Sequence, residues 1–374
     1  MEGFADGPLE LEMLPAGYGD ALLLTWGPPQ DRHRLLVDGG PAGAYSTVRG
    51  RLREVAGEGP LELMVLTHVD ADHIEGTLLL SNDADLDIGI REYWFNGPAQ
   101  IMPDLGGRQG EMLAALISGR GIPLNAAFGA KAVCAPDTGA RPVRCLPGGL
   151  TLTVLGPDAA ALTAMRKAWL PELKDGGLAF DSPEQALEEL RRRTARTLDA
   201  TFLKGNGPPD VAKLLGSPIS KDRAPANRSS IVLLAEYAGN AVLLPGDATP
   251  AALRTAVRQL LEERGLARLH LAALKLPHHG SARNITPELL QLLPADAYLF
   301  SSDGAKFGHP DDAGVARCLA HGKKGAALAF NYHNPRTLRW GDQRVLAPRE
   351  NRALHPPPGG AGLVLSIPPV GPRP

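Results

Sequence analysis

Short apolar runs separated by glycine- and proline-rich turns set the rhythm of this chain. Leu9 to Leu14, Ala21 to Trp26 and Arg34 to Val37 are strand-length and apolar, and the turns at 16–20 and 27–29 divide them, which predicts an opening β-meander. Residues 46–56 read as a helix, Leu63-Met64-Val65-Leu66 as a buried strand, and Glu75 to Leu80 as the helix after it. Strands are expected at Arg91 to Phe95, Val143 to Leu146 and Leu150 to Leu155, with a helix at Gln109 to Ile117. Ser230 to Tyr237 and Ala241 to Leu244 form a hairpin pattern around Ala238-Gly239-Asn240. A helix from Pro250 to Glu263 and a strand from Leu269 to Leu276 follow, and Thr286-Pro287-Glu288 then starts a helix with an N-cap and proline at its first position. Ala297 to Phe300 is a strand, a helix runs to about Leu319, and Ala326 to Tyr332 and Thr337 to Trp340 read as closing strands. Strands and helices alternate throughout, so the fold class is α/β.

Residues 160–226 depart from this rhythm. Ser182-Pro183-Glu184-Gln185 has the start signals of a helix, and Leu187, Leu190 and Leu198 fall on roughly one of its faces. The segment reads as a helical insertion within a domain spanning 1–350. It carries 11 Lys and Arg against 9 Asp and Glu, so Arg191-Arg192-Arg193 with Arg196 reads as a solvated face rather than a phosphate groove. Residues 351–374 are rich in proline and glycine and read as a loosely packed tail with one strand, Gly362 to Ile367.

The chemistry concentrates where apolar strands end. Thr67-His68-Val69-Asp70-Ala71-Asp72-His73 puts four metal-ligating side chains directly after a buried strand. Imidazole nitrogen and carboxylate oxygen at this spacing can converge on two adjacent cations. Val37-Asp38-Gly39-Gly40 delivers a carboxylate at another strand end, suited to capping a turn or to orienting a ligand of the 68–73 loop. Pro245-Gly246-Asp247, Pro277-His278-His279-Gly280-Ser281 and Gly308-His309-Pro310 are further strand-end or helix-entry clusters. Separate loops on one edge of a packed sheet are where such segments meet. His33, His270, His321, His333 and His355 lack this context and read as structural or solvated.

Composition narrows the class without changing it. Charged residues are 21% and the formal net charge is −2, which argues against binding nucleic acid through bulk charge while leaving room for a local basic groove. Three scattered cysteines make neither a disulfide framework nor a Cys-x-x-Cys site and fit a reducing compartment. The first residues lack a basic and apolar signal pattern, and no run approaches membrane-spanning length, so a cytoplasmic, non-membrane protein is expected. No P-loop, dinucleotide fingerprint or nucleophile elbow is present.

Taken together these motifs resemble the metallo-β-lactamase-fold hydrolases, a four-layer αββα sandwich with a dinuclear metal site at one edge, over most of residues 9–345. The form His68-x-Asp70-x-Asp72-His73, with Pro245-Gly246-Asp247, Lys275-x-Pro277-His278-His279-Gly280-Ser281 and Gly308-His309-Pro310, is similar to the ComEC-type branch associated with DNA internalisation. Supporting context lies in Gly17-Tyr18-Gly19-Asp20-Ala21, Val37-Asp38-Gly39-Gly40 and Asn227-x-x-Ser230. The resemblance implies His68 and Asp70 on one divalent ion, Asp72 and His73 on a second, and Asp247 bridging them. His279 is the preferred ligand of the double-histidine motif, with His278 either a ligand or a proton donor to the leaving group. His309 matches a terminal histidine of the branch. Two departures stand out: position 70 is Asp where most members carry His, and no histidine lies between His73 and His270. Three carboxylates and one hydroxide would neutralise two dications, giving a harder site that suits Mn²⁺ as well as Zn²⁺.

The leading expectation is hydrolysis of a phosphodiester by a metal-bound hydroxide, a nuclease or phosphodiesterase acting on nucleic acid or a related substrate. Asp72, His278 and Lys275 are the candidate catalytic residues, and Lys275, Ser281 and Arg283 are candidate phosphate contacts. One alternative is a hydrolase of small esters, lactones or amides, with an apolar pocket supplied by Trp169, Leu170 and Phe180. Another is a metal-stabilised binding module whose 160–226 segment engages a protein partner.

Overall fold

The computed structural model describes residues 7–101, 108–174, 183–194 and 207–370. The strands are β1 (Leu9–Met13), β2 (Leu22–Trp26), β3 (His33–Val37), β4 (Leu61–Val65), β5 (Tyr93–Trp94), β6 (Val143–Cys145) and β7 (Thr151–Gly156). They continue as β8 (Val232–Tyr237), β9 (Asn240–Leu244), β10 (Leu271–Lys275), β11 (Ala295–Phe300), β12 (Ala327–Phe330), β13 (Arg352–Leu354) and β14 (Leu363–Ile367). They form a six-stranded sheet, β14-β1-β2-β3-β4-β5, and an eight-stranded sheet, β13-β12-β11-β10-β9-β8-β7-β6. The helices that matter for packing are α1 (Tyr45–Val55), α2 (Ala71–Asn82), α3 (Pro98–Ile101), α4 (Arg108–Gly119), α5 (Ala159–Lys174) and α6 (Pro183–Thr194). After them come α7 (Val211–Leu215), α8 (Pro225–Arg228), α9 (Pro250–Glu263), α10 (Pro287–Leu292), α11 (Asp312–His321) and α12 (Pro335–Leu338).

Three apolar cores define four layers. One lies between the sheets, where Leu24, Leu35, Leu63 and Val65 of the first meet Leu152, Leu233, Leu244 and Leu299 of the second. A second covers the outer face of the six-stranded sheet with Val48, Leu52, Ile74, Leu78, Leu113, Leu187 and Leu190. The third covers the eight-stranded sheet with Leu253, Val257, Leu289, Val315 and Leu319. This is an αββα sandwich, the fold class expected from the sequence. Both faces of the central strands are buried, which explains their largely apolar runs: every residue of β2 and β4 is buried.

Strand direction places the chemistry. β9, β10, β11, β12 and β13 are mutually parallel, as are β3, β4 and β5. The loops after β9, β10 and β11 therefore leave by one edge of the eight-stranded sheet, carrying Asp247, His279 and Ser301. Ile231 N donates to Thr67 O at 2.9 Å, which ties the loop after β4 to the second sheet at this edge.

Two expectations are corrected. Thr337 to Trp340 is not a strand but α12 and a following 3₁₀ turn. Asn334 caps this helix through a capping box with Thr337, and Pro335 occupies its first position, so local cap chemistry overrides the short apolar pattern. Nor is the chain beyond residue 350 loose up to Ile367. β13 adds to the eight-stranded sheet in parallel with β12, and β14 pairs with β1 over five antiparallel positions, Leu9↔Ile367 to Met13↔Leu363. The single strand read there is present, but its role as the edge of the first sheet was not visible. Ser182 and Leu198, expected to begin and extend α6, lie outside the described residues, whereas Leu187 and Leu190 are buried in the outer core.

Candidate metal centre

Helix α2 begins at Ala71, four residues before the expected start, with Asp70 as its N-cap residue. His68 and Asp70 therefore sit on the β4–α2 connection, and Asp72 and His73 lie in the first helical turn. Glycines let this turn pack against two other loops. A Cβ on Gly76 would stand 1.9 Å from Gly39 O, and one on Gly19 would stand 2.0 Å from Asp72 O. That closeness brings Asp20 and Asp38 within reach of histidines from both sheets.

Asp38 organises the first half. Its Oδ1 accepts from Thr67 N at 2.7 Å, and its Oδ2 accepts from Thr67 Oγ1 at 2.8 Å. His73 Nδ1 lies 2.8 Å from the same Oδ2. A carboxylate only accepts, so His73 Nδ1 carries the proton and donates. The Thr67 hydroxyl hydrogen is committed to Asp38, so its oxygen, 3.0 Å from His68 Nδ1, accepts from that nitrogen in turn. One carboxylate thus sets two imidazoles with Nε2 facing inward, the arrangement by which a carboxylate orients a metal-binding histidine. Asp38 has the ligand-orienting position considered for it in the sequence, and it takes a left-handed backbone, φ 61°, to do so.

The second half is assembled from more distant segments. Asp20 Oδ1 accepts from His279 Nδ1 at 3.1 Å and from the Ser301 hydroxyl, and Asp20 Oδ2 accepts from Lys275 Nζ at 2.6 Å. Asp222 Oδ2 lies 3.3 Å from His278 Nδ1 and also accepts from Asn227 and Asn284 amides at 2.7 and 3.0 Å. Asp311 Oδ1 is 3.2 Å from His309 Nδ1. Each of the five site histidines therefore has its Nδ1 engaged, leaving Nε2 as its other ring nitrogen.

These Nε2 atoms meet at Asp247. Its Oδ1 is 3.5 Å from His73 Nε2, and its Oδ2 is 3.6, 3.7 and 4.0 Å from Nε2 of His279, His278 and His68. Asp72 Oδ2 lies 3.3 Å from His279 Nε2, and Asp70 Oδ2 lies 3.5 Å from His68 Nε2. The His309 ring is 5.3 Å from that of His278 and 6.4 Å from that of His279. All seven residues read as metal ligands are thus gathered at one edge of the sandwich. His68, His73 and His279 are buried, and their Nε2 atoms, with Asp247 Oδ1, have no hydrogen-bond partner among the described residues. Four orphaned polar atoms aimed into one space would be costly in a finished interior, and a divalent cation is the partner whose chemistry fits them. Ligand atoms of Asp20, His73, Asp247 and His279 all lie within 4.8 Å of one another. We read Asp20 as an orienting group, because both of its oxygens are already taken.

The charges agree with this geometry. Burial would raise the Asp247 carboxyl, but the imidazoles of His279, His73 and His278 hold it well below the usual carboxylate range. Burial opposes a charge on His279, yet Asp247 and Asp20 push it up to about 10. Burial also opposes a charge on His73, and Asp247 and Asp38 hold its pKa well above the ordinary value. Asp72 is drawn down to about 2, against the burial that would raise it, by His279 and His73. In the absence of a cation, protons take its place between these groups.

Lys275 is placed differently from its expected role. It is fully buried, with Nζ held by Asp20 Oδ2 and Leu276 O, so it is not presented to a substrate phosphate. Ser281 is buried as well, whereas Arg283 is exposed. Sequence reasoning missed Asp20 and Asp222 as histidine partners. Asp20 had a signal, a carboxylate just before β2 in a glycine turn, whereas Asp222 lies in Lys221-Asp222-Arg223, which reads as ordinary solvated charge. The side chains of Trp169, Leu170 and Phe180, Arg193 and all of Arg196 lie outside the described residues. His270, read as structural, pairs with Asp296 on the surface.

No protein-family model matches the chain, and comparison with curated proteins found no match. Among solved structures, the metallo-beta-lactamase fold protein YhfI from Bacillus subtilis is similar at 12% identity and a TM-score of 0.39, covering 96% of this chain and 99% of the other. A likeness that distant carries no argument about the site, which stands on the contacts above. Among the described residues, no helix is long and apolar enough to cross a membrane.

Proposed function

We propose that this protein is a metal-dependent hydrolase of phosphodiesters with a dinuclear centre, in the ComEC-type branch of the metallo-β-lactamase fold that its motifs resemble. The observation that carries the metal is the set of orphaned atoms, Nε2 of His68, His73 and His279 with Oδ1 of Asp247. With Asp70 and Asp72 alongside, six donor side chains face one space, more than a single four-coordinate ion takes. His68 and Asp70 would hold one ion and Asp72, His73 and His279 the other, with Asp247 facing both. The mixture of imidazole and carboxylate suits Zn²⁺ or Mn²⁺. When bound, such a pair polarises a phosphoryl oxygen and lowers the pKa of water from 15.7 toward ~7.

The chain's own residues do the rest. Asp38 and Asp20 fix the tautomers of His73 and His279, and Asp222 and Asn227 both face Nδ1 of His278. His278 is the least enclosed of these imidazoles, 25% exposed, and its Nδ1 partner Asp222 helps keep it charged against the opposing effect of burial. That proton is available to a departing alkoxide oxygen, the role weighed for His278 from sequence. A phosphodiester is favoured over a neutral ester by the cations around the site. Asp222 N donates to Arg283 O at 3.5 Å, which brings the backbones of Arg223 and Arg283 beside the Asp222–His278 pair, and both arginines are exposed. The test is hydrolysis of bis(p-nitrophenyl) phosphate and of single-stranded DNA with added Mn²⁺ or Zn²⁺, beside p-nitrophenyl acetate. Phosphodiester cleavage that Asp247→Ala abolishes supports the reading. Ester cleavage alone, or phosphodiester cleavage unchanged in Asp247→Ala, contradicts it.

A further inference from the structure

The loop between β11 and α11 carries an exposed aromatic residue at the rim of the histidine cluster. Phe307 is 52% exposed, and its ring lies 6.3 Å from that of His309, which itself stands 5.3 Å from His278. Tyr18, from the turn that delivers Asp20, meets Phe307 edge to face with ring centroids 5.6 Å apart. Lys306 Nζ lies 4.2 Å from the Tyr18 ring centroid and 4.9 Å from that of Phe307. The two loops are fastened together, because Asp303 N donates to Gly17 O at 2.9 Å and Gly17 N donates to Tyr332 Oη at 2.6 Å. Pinned by these contacts, the ring keeps about half of its surface open beside the histidine cluster, where a flat ligand can reach it.

We propose that Phe307, supported by Tyr18 and Lys306, is a stacking platform for a nucleobase of a substrate whose phosphodiester lies over the histidine cluster. This rests on the phosphodiester reading above and narrows the substrate class to nucleotides or single-stranded nucleic acid. A nucleobase offers a flat face to Phe307, and the phosphates linked to it supply the anion that Lys306, Arg223 and Arg283 attract. Neither an alkyl ester nor a simple dialkyl phosphate uses both features. A double helix hides its base faces in the stack, so a single strand is the form that fits.

The test is fluorescence anisotropy with the full chain, using phosphorothioate-linked decathymidylate and an abasic decamer of the same backbone, so that both strands resist cleavage and differ only in their bases. The wild-type chain is expected to bind the thymidine strand about tenfold more tightly than the abasic one, the scale of one base–aromatic stack. Phe307→Ala should reduce that preference to near unity, and Phe307→Trp should restore it. Equal binding of the two strands by the wild type, no binding of either, or an unchanged preference in Phe307→Ala overturns the proposal. The two readings fail separately. Phosphodiester cleavage without a base preference removes the platform alone, and a base preference without cleavage removes the hydrolase alone.

Discussion

The two halves of the histidine cluster are built in opposite ways. On the six-stranded sheet, His68, Asp70, Asp72 and His73 fall within six residues, and a single carboxylate, Asp38, fixes both imidazoles. On the eight-stranded sheet, each histidine has its own partner from far along the chain: Asp20 for His279, Asp222 for His278. The first half is a compact local device, whereas the second is fastened by longer-range contacts, of which Asp20–His279 crosses between the sheets. The stability of the fold and the geometry of the site are therefore tied together more closely in the second half.

Replacing Asp247 should have the largest effect, because imidazoles from both halves converge on it. Asp247→Ala is expected to weaken metal binding by more than ~100-fold, beyond the 10–100-fold typical of losing an orienting partner. Competition against a fluorescent chelator measures this, and a loss below tenfold would show that the halves bind independently. Asp38→Ala comes next. It releases His68 and His73 together, so metal affinity should fall ~10–100-fold, whereas Asp222→Asn, which frees only His278, should cost less. Equal losses in the two variants would remove the contrast.

Asp20 separates stability from site geometry. Burial would raise its carboxyl, but Lys275 and His279 hold it well below the usual range, so the Asp20 carboxylate is charged in the interior. Asp20→Ala leaves the buried Lys275 Nζ without its carboxylate partner, although Leu276 O still accepts from it, and should cost ~3–5 kcal/mol in urea unfolding. Adding Lys275→Met should recover most of that stability, because a well-packed apolar residue replaces a buried ion at little cost. Metal affinity should still stay about tenfold low, because His279 has lost its acceptor. Recovery of both properties in the double variant would mean that Asp20 serves stability alone.

The smallest expected effect concerns protons. In the metal-free chain at pH 7, His279 with a pKa of about 10 and His73, also raised, both carry charge. A cation must displace those protons, so apparent metal affinity should rise with pH across the neutral range up to about 10. Calorimetry in two buffers of different ionisation enthalpy reads the release directly, and uptake instead of release would contradict the sign.

This contrast also explains what the sequence made legible. Motif spacing marked the ligands of the first half because they share one turn, and it marked Asp247 and His279 because each follows an apolar strand that ends at the same edge. The pairing of Lys275 with Asp20 was hidden, since a lysine beside a double-histidine motif reads equally well as a phosphate contact until the fold buries it. Asp222 was hidden for a related reason: its neighbours Lys221 and Arg223 are exposed, and its carboxylate is turned inward by Asn227, Asn284 and His278, contacts that appear once the chain folds. The strand β14 joined the first sheet through pairing with β1, a contact of high sequence separation that local patterning cannot register.

The central claim is that the orphaned nitrogens of His68, His73 and His279 and the carboxylate of Asp247 hold divalent metal. An anomalous-scattering crystal structure of the chain loaded with Zn²⁺ or Mn²⁺ tests it most directly. Two anomalous peaks are predicted, with the three Nε2 atoms about 2.0–2.1 Å from zinc and Asp247 contacting both. No peak in this cluster at saturating metal, or peaks held only by other residues, would contradict the claim.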